Sequence, residues 1–224
     1  MTGSPPHLLP SGRSALLVEC DDLPAVLALH DALVRTAPEG LVELVPAART
    51  LLVALDPDVL PLESAANWVR RVAREVGADA AGRAFDAAGT DAGPDGDEVV
   101  LAVDYRGDDL HALAATLDVS AEHLVARHTS ARWRVAFIGF APGFGYLVAE
   151  DWPFDVPRLD VARTRVPAGA VGLAGAFSGA YPRESPGGWQ LIGRTEAILW
   201  DATADRPALL VPGRRVRFEP DAPR

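Results

Sequence analysis

The sequence contains no lysine, because all 21 of its basic residues are arginine. This absence excludes a Schiff-base lysine, a pyridoxal phosphate anchor, a phosphate-loop lysine and a lysine that carries biotin. Cysteine is almost as scarce, and the single thiol, Cys20, excludes an intrachain disulfide and a cysteine-based metal cluster. No set of histidine, aspartate and glutamate residues has the spacing of metal ligands, so we expect no metal site.

Long apolar runs are also missing. No window of about 18 residues is apolar enough for a membrane-spanning helix. Residues 1–14 lack the basic-then-apolar order of a signal peptide. Together with the lone cysteine, these absences predict a cytoplasmic protein that does not bind a membrane.

The chain has few basic residues for its length. Its formal net charge is −10, which argues against binding to nucleic acid. The charge is uneven, because residues 1–100 contain 16 acidic residues and 7 arginines, whereas residues 101–224 contain 15 and 14. The second half is therefore the better place for a small anionic ligand.

The N-terminal part of the chain alternates strand and helix patterns. Two segments have apolar residues at helical spacing; one begins at Leu23, and the other begins at Pro61 and ends at Gly77. Short β-rich segments lie at residues 14–20, 41–45, 50–55 and 83–87. This β-α-β-β-α-β order predicts a ferredoxin-like domain over residues 1–88.

An acidic, turn-rich linker follows at residues 89–98, and a second domain is predicted over residues 98–224. Strand, helix, helix and strand patterns occupy residues 98–105, 109–117, 121–128 and 133–140. Short apolar runs follow at residues 171–174, 189–192, 197–200, 208–211 and 215–218. Many short strands with glycine and proline corners predict a β-barrel or sandwich.

Glycine is concentrated in one region. Residues 139–193 contain ten of the 20 glycines, together with six prolines. Such a region is typical of loops where the backbone approaches a ligand or another chain closely, and equally of tight barrel corners.

Seven short blocks lie along the second half of the chain. They are Val-x-Tyr-x-Gly-x-Asp-Leu (103–110), His-Thr (128–129), Gly-Phe-x-Pro-Gly-Phe-x-Tyr-Leu (139–147), Val-Pro-Ala-Gly (166–169), Tyr-Pro (181–182), Ser-Pro-Gly-Gly-Trp (185–189) and Gly-Arg-Thr (193–195). Together they resemble the allophanate hydrolase subunit 1 family, which includes the B-type subunit of 5-oxoprolinase and a kinase A inhibitor of sporulating bacteria. The resemblance covers nearly the whole chain.

The resemblance implies an α+β fold, with a small ferredoxin-like N-terminal domain and a cyclophilin-like β-barrel C-terminal domain. It implies one component of an ATP-dependent lactam hydrolase, which opens 5-oxo-L-proline to L-glutamate and is inactive without its partners. The implied partners are a larger C-type subunit and an A-type, lactam-utilisation subunit, with a small-molecule amide as substrate. ATP is expected to bind to the assembled complex.

Two alternatives remain open at this point. The first is that the chain is the carboxyltransferase component of a urea or amide carboxylase or allophanate hydrolase system. One family member's name implies a non-catalytic inhibitor of a sensor histidine kinase.

The chain departs from the family pattern at two places. Phe177 and Ser178 stand where many members carry Gln-Thr, and Ala170 stands where a serine is usual. The loss of a glutamine amide removes a group that both donates and accepts hydrogen bonds. This change therefore bears on which substrate the protein binds.

The resemblance directs attention to residues inside the blocks. His128 is the first candidate for acid–base catalysis, since a helix C-terminus favours a protonated imidazole; a surface histidine that caps the helix is the alternative. Arg194 is the second catalytic candidate. The substrate-binding candidates are Arg165, Ser178, Tyr181, Gly187, Gly188, Trp189 and Thr195.

Each of these candidates has a simpler interpretation. Arginine suits bidentate recognition of a carboxylate or phosphate, but for any single arginine a salt bridge to a nearby acid such as Glu184 is the favoured explanation. For Phe140 a place in the barrel core is favoured. For Trp189, beside two glycines, a ligand or partner contact is favoured.

Overall fold

The chain divides into two compact units, residues 1–90 and 91–224. A computed structural model describes residues 6–79 and 98–221. The predicted strand at residues 83–87 and almost all of the predicted linker lie outside the described residues. Within the described part of the chain, no helix is long and apolar enough to cross a membrane.

The first unit is a four-stranded antiparallel sheet with two helices. Its elements are β1 (His7–Pro10), β2 (Ala15–Glu19), α1 (Leu23–Arg35), β3 (Leu41–Pro46), β4 (Thr50–Leu55) and α2 (Leu62–Asp79). The strand order is β1-β2-β4-β3. The predicted series from β2 to α2 is present, whereas β1 was not predicted. The finer ferredoxin-like assignment stays a prediction, because its last strand falls outside the described residues.

Local chemistry explains where α1 begins. The carboxylate of Asp22 accepts a hydrogen bond from the amide of Ala25 at 2.9 Å, and a proline occupies the first turn. The helix then buries a stripe that includes Val26 and Leu33 against Val53 of the sheet and Val69 of α2. The apolar spacing that predicted the helix is therefore the spacing that builds this core.

The second unit is built around one large sheet. Its elements are β5 (Val99–Val103), α3 (Leu110–Thr116), α4 (Ala121–Ser130), β6 (Trp133–Ile138), β7 (Gly145–Val148), β8 (Arg163–Val166), β9 (Ala170–Ala174), β10 (Phe177–Ala180), β11 (Ser185–Gly187), β12 (Gln190–Arg194) and β13 (Arg215–Pro220). Seven strands form the order β12-β9-β10-β7-β6-β13-β5, and β8 pairs separately with β11.

The two edges of the large sheet meet at one backbone bridge. The amide of Asp104, just after β5, donates to the carbonyl of Arg194 at 2.8 Å, and the amide of Arg194 donates back at 2.9 Å. This bridge joins the ends of β5 and β12, so the sheet is a nearly closed barrel. Trp133, Leu173 and Phe218 lie in the core that it encloses.

Two details differ from the sequence-based expectations. Residues 197–200 and 208–211 were predicted as strands, but they share only the single bridge between Trp200 and Ala208. Phe140 was predicted in the core; it is 55% exposed and has a φ of +65°. It lies on the turn between β6 and β7, where the chain reverses and the barrel interior ends.

Candidate functional site

His128 lies in the core of the second unit. Its imidazole is completely buried, with Nδ1 at 2.7 Å from the hydroxyl of Tyr105 and Nε2 at 2.8 Å from the hydroxyl of Ser178. The rings of Trp133 and Phe218 pack around it at 5.2 and 4.2 Å between centroids. Both nitrogens are therefore occupied by hydroxyl groups.

This environment decides the charge of the imidazole. Burial lowers the pKa of His128 from 6.5 to about 3, since a charged ring would lose its hydration. The ring is neutral, so one nitrogen donates to a hydroxyl and the other accepts from one. The expectation of a protonated imidazole at the helix end is wrong, and so is the alternative of a surface cap. The geometry favours a structural role over direct contact with substrate.

Arg194 lies elsewhere, in an exposed cleft of about 350 Å³. The cleft also contains Asp104, Arg106 and Asp108, and the carboxylate of Asp104 pairs with Arg106. Among the described contacts, none joins Arg194 to His128. The two predicted catalytic residues therefore lie in different surroundings, one in the buried core and the other in an exposed cleft.

Arg165 is held by an ion pair on the surface. Its guanidinium donates to both carboxylate oxygens of Glu184, at 3.1 and 2.8 Å. The side chains are 76% and 54% exposed, so this is the simple salt bridge that the sequence offered as the alternative to substrate binding.

Three of the predicted substrate-binding residues line one cavity of about 300 Å³. They are Tyr181, Gly187 and Trp189. The other lining residues are Phe140, Phe144, Tyr146, Arg158, Ala174, Gly175 and Phe177. The walls are thus mostly aromatic, and one arginine supplies the positive charge.

Close contacts fix the shape of this cavity. Phe144 is in edge-to-face contact with Trp189, with ring centroids 5.3 Å apart. A Cβ atom at Gly187 would overlap the hydroxyl of Tyr181, so only glycine lets β11 approach that ring. Trp189 is 7% exposed. The aromatic side chains are therefore packed in place before any ligand binds.

Phe140 lies at the edge of the cavity. Its left-handed backbone is unusual for a bulky residue, and such strain is concentrated at functional sites. Its ring is 5.3 Å from that of Phe144 and 6.0 Å from that of Tyr181. The strained turn thus presents an exposed aromatic ring beside the cavity opening.

The remaining predicted residues have structural positions. Ser178 is fully buried on His128, and the hydroxyl oxygen of Thr195 accepts from the amide of Ala197 at 3.2 Å. The carbonyl of Gly188 accepts from the amide of Leu159 at 2.9 Å. Among the described residues, no group of three or more histidine, cysteine, aspartate or glutamate side chains could hold a metal ion.

The profile of the family described as carboxyltransferase domain, subdomain C and D, matches residues 6–210. The chain belongs to this family. A curated relative, the B-type subunit of 5-oxoprolinase from Escherichia coli O157:H7, is 46% identical over 114 residues, which are 51% of this chain and 52% of that protein. The chain thus spans about half the length of the curated relatives it matches. These matches confirm the resemblance drawn from the sequence blocks.

Solved structures with similar folds were also found. The conserved uncharacterized protein PH0987 of Pyrococcus horikoshii is 33% identical, with a TM-score of 0.53 over 96% of this chain and 97% of that chain. The urea amidolyase of K. lactis has a TM-score of 0.72 over 96% of this chain and 15% of that chain. Its identity of 20% shows a shared fold alone.

The structure shows where the departures from the expected family blocks lie in this chain. Phe177, which replaces a glutamine, lines the aromatic cavity, and Ala170, which replaces a serine, lines the cleft of Arg194. Ser178 retains the hydroxyl that binds His128. The departures therefore change the walls of both cavities and leave the buried hydrogen bond intact.

Sequence reasoning did not select Arg158 or Phe177 as site residues and assigned Phe140 to the core. Arg158 is one of several arginines in this region, it lies in a loop without a motif, and nothing in its immediate neighbours sets it apart. The signal that was available is the density of aromatic residues at 140–146, since Phe140, Phe144 and Tyr146 all line one cavity.

Proposed function

We propose that this chain is the B-type subunit of an ATP-dependent 5-oxoprolinase, which opens 5-oxo-L-proline to L-glutamate together with partner subunits. The observation that carries the proposal is the 46% identity to the B-type subunit of 5-oxoprolinase from Escherichia coli O157:H7. The preformed cavity with one arginine supports it, since 5-oxoproline is a small ring with one carboxylate. The partners are a larger C-type subunit and an A-type, lactam-utilisation subunit.

The chemistry explains why partners are needed. Hydrolysis of an unactivated lactam is difficult, and ATP activates the amide through a phosphorylated intermediate. This chain has no lysine and no phosphate-loop sequence. ATP is therefore assigned to the assembled complex, and this chain to holding the lactam or completing the site.

The test is co-expression of the chain with candidate A-type and C-type partners, followed by measurement of L-glutamate release from 5-oxo-L-proline. Release that depends on ATP and on every component is expected, with negligible release by this chain alone. Robust turnover by the single chain, or none by any assembly, would contradict the proposal.

A second candidate is the carboxyltransferase component of a urea or amide carboxylase. It is favoured by a 42% identity over 68 residues to the urea amidolyase of Saccharomyces cerevisiae, which covers 28% of this chain. Because the chain has no lysine, biotin would have to come from another chain. Biotin-dependent carboxylation of urea by the assembly, without glutamate release, would select this candidate.

A further inference from the structure

The positive charge in the lining of the aromatic cavity comes from one side chain. Of the ten described residues that line it, Arg158 is the one with a charged side chain. Burial raises the pKa of the phenols of Tyr146 and Tyr181, and the positive charge of Arg158 offsets part of that rise. Arg158 and the two tyrosines therefore form the polar side of an otherwise apolar site.

The backbone on both sides of Arg158 is anchored. The side-chain amide of Gln190 donates to the carbonyl of Pro157 at 3.1 Å, and the amide of Leu159 donates to the carbonyl of Gly188 at 2.9 Å. One residue earlier, Val156 exchanges two backbone hydrogen bonds with Gly175. Loop residues fixed in this way can position a guanidinium without the ordering cost of a free loop.

Arg158 also differs from the neighbouring arginines in its ion pairing. Arg163 pairs with Asp109 at 2.6 Å, and Arg165 pairs with Glu184 at 2.8 Å. In the part of the chain that the structure describes, no carboxylate lies within ion-pair distance of Arg158. A guanidinium of this kind, placed beside aromatic rings, is available for an anion brought by a ligand.

We propose that Arg158 binds the carboxylate of a small, flat, ring-bearing ligand whose ring lies against Phe177 and Trp189. The identity of that ligand as 5-oxo-L-proline rests on the proposed function. In this arrangement Tyr146 contributes a hydroxyl at the polar side of the site.

The size and charge of the cavity favour this class of ligand. Its volume of about 300 Å³ is at the lower limit of ligand pockets. One arginine matches one carboxylate through two parallel hydrogen bonds, whereas a triphosphate requires more positive charge than the lining provides. A planar five-membered lactam can lie against aromatic faces, and Phe177 offers such a face where many relatives carry a glutamine.

The proposal can be tested by isothermal titration calorimetry on the full chain. The ligands are 5-oxo-L-proline, 2-pyrrolidone, which has the ring without the carboxylate, and cyclopentanecarboxylate, which has the carboxylate without the lactam. The variant is Arg158→Gln. The matched control is Arg165→Gln, which removes an exposed arginine already paired with Glu184.

Loss of a charged hydrogen bond predicts that Arg158→Gln weakens 5-oxo-L-proline binding about tenfold or more. Arg165→Gln should leave it unchanged. Binding of 2-pyrrolidone should be weak and equal in wild type and Arg158→Gln. The reason is that the missing carboxylate of this ligand and the substitution of Arg158 remove the same contact. Absence of saturable binding of both carboxylate ligands by the full chain, or equal binding of them by wild type and Arg158→Gln, would overturn the proposal.

The assembled enzyme separates this inference from the proposed function. If the assembly releases glutamate and Arg158→Gln keeps the wild-type KM, the assignment of Arg158 is wrong and the function stands. If no assembly releases glutamate but cyclopentanecarboxylate binds in an Arg158-dependent manner, the function is wrong and the carboxylate site stands.

Discussion

The Nε2 atom of His128 lies 2.8 Å from the hydroxyl oxygen of Ser178, which is fifty residues further along the chain. The contact joins α4 to β10, and the bond from Nδ1 to Tyr105 extends it to the segment after β5. Three parts of the second unit are thus connected by a buried chain of polar groups. Such a chain stabilises the fold only while each member has its partner.

We therefore expect Ser178→Ala to destabilise the protein by about 1–3 kcal/mol, since one nitrogen of His128 would remain buried without a partner. Urea unfolding followed by circular dichroism measures the change. Ser130→Ala is the matched control; its exposed hydroxyl bonds to the carbonyl of Arg127, and its removal should change stability by less than about 0.5 kcal/mol. Equal effects of the two variants would contradict the buried hydrogen bond.

The buried imidazole also predicts how stability depends on pH. His128 has a pKa of about 3 in the fold against an ordinary value of 6.5, so between these values the unfolded chain binds more protons than the folded chain. The contribution of His128 to stability is fully present above the ordinary pKa of 6.5. It falls as the pH decreases toward the folded pKa, by at most about 1.4 kcal/mol per pH unit.

Urea midpoints measured between about pH 7 and 5.5 test this, because most carboxylates stay ionised there. A His128→Asn variant should lose most of the pH dependence in that range. The assigned imidazole resonances of His128 should not shift over the same range in the folded protein. A titration of those resonances near pH 6.5 would refute the neutral, enclosed ring.

A second buried contact lies at the start of α3. One carboxylate oxygen of Asp109 accepts from the guanidinium of Arg163 at 2.6 Å, and the other accepts from the amide of Leu191 at 2.6 Å. Asp109→Ala leaves a largely buried arginine without its carboxylate and the amide of Leu191 without its acceptor, so we expect a loss of about 2–4 kcal/mol. Asp108→Ala, at the exposed neighbouring position, should change stability by less than about 0.5 kcal/mol in the same thermal or urea unfolding measurement.

The sequence predicted the helices and strands better than it predicted the contacts between them. The helix at Leu23 and the hairpin of residues 41–55 follow from local periodicity, which the structure preserves. The strand β1 was missed, because His-Leu-Leu-Pro is short and ends in proline, and it exists through its pairing with β2. Pairing of this kind is a tertiary property that no local pattern contains.

Cys20 provides a chemical test of the first unit. Burial, followed by the charges of Asp21 and Asp22, raises the pKa of its thiol to about 11. At pH 8 about one molecule in a thousand then carries the reactive thiolate. We expect iodoacetamide to label folded protein far more slowly than protein in urea, as measured by mass spectrometry. Equal rates in the two conditions would show that the thiol is exposed.

The candidate site was harder to predict than the fold for a physical reason. The walls of the aromatic cavity come from separate stretches of chain, such as residues 140–146, 174–177 and 187–189. Which arginine joins them depends on the path of the loop at 156–159, and that path is set by backbone bonds to Gly175 and Gly188. Arg165, which lies directly before a family block, was preferred on sequence, yet its side chain is paired with Glu184.

The position of β13 in the large sheet has a consequence for how this protein is made. Among the strands that the structure describes, β13 is the last along the second unit, yet it lies between β6 and β5, and β5 has no other ladder partner among them. During synthesis, β5 cannot pair with β13 until residues 215–220 have left the ribosome, and its backbone groups stay unpaired until then. The barrel therefore closes only after its whole sequence has been translated, and in that interval β5 presents an edge to which other chains can add.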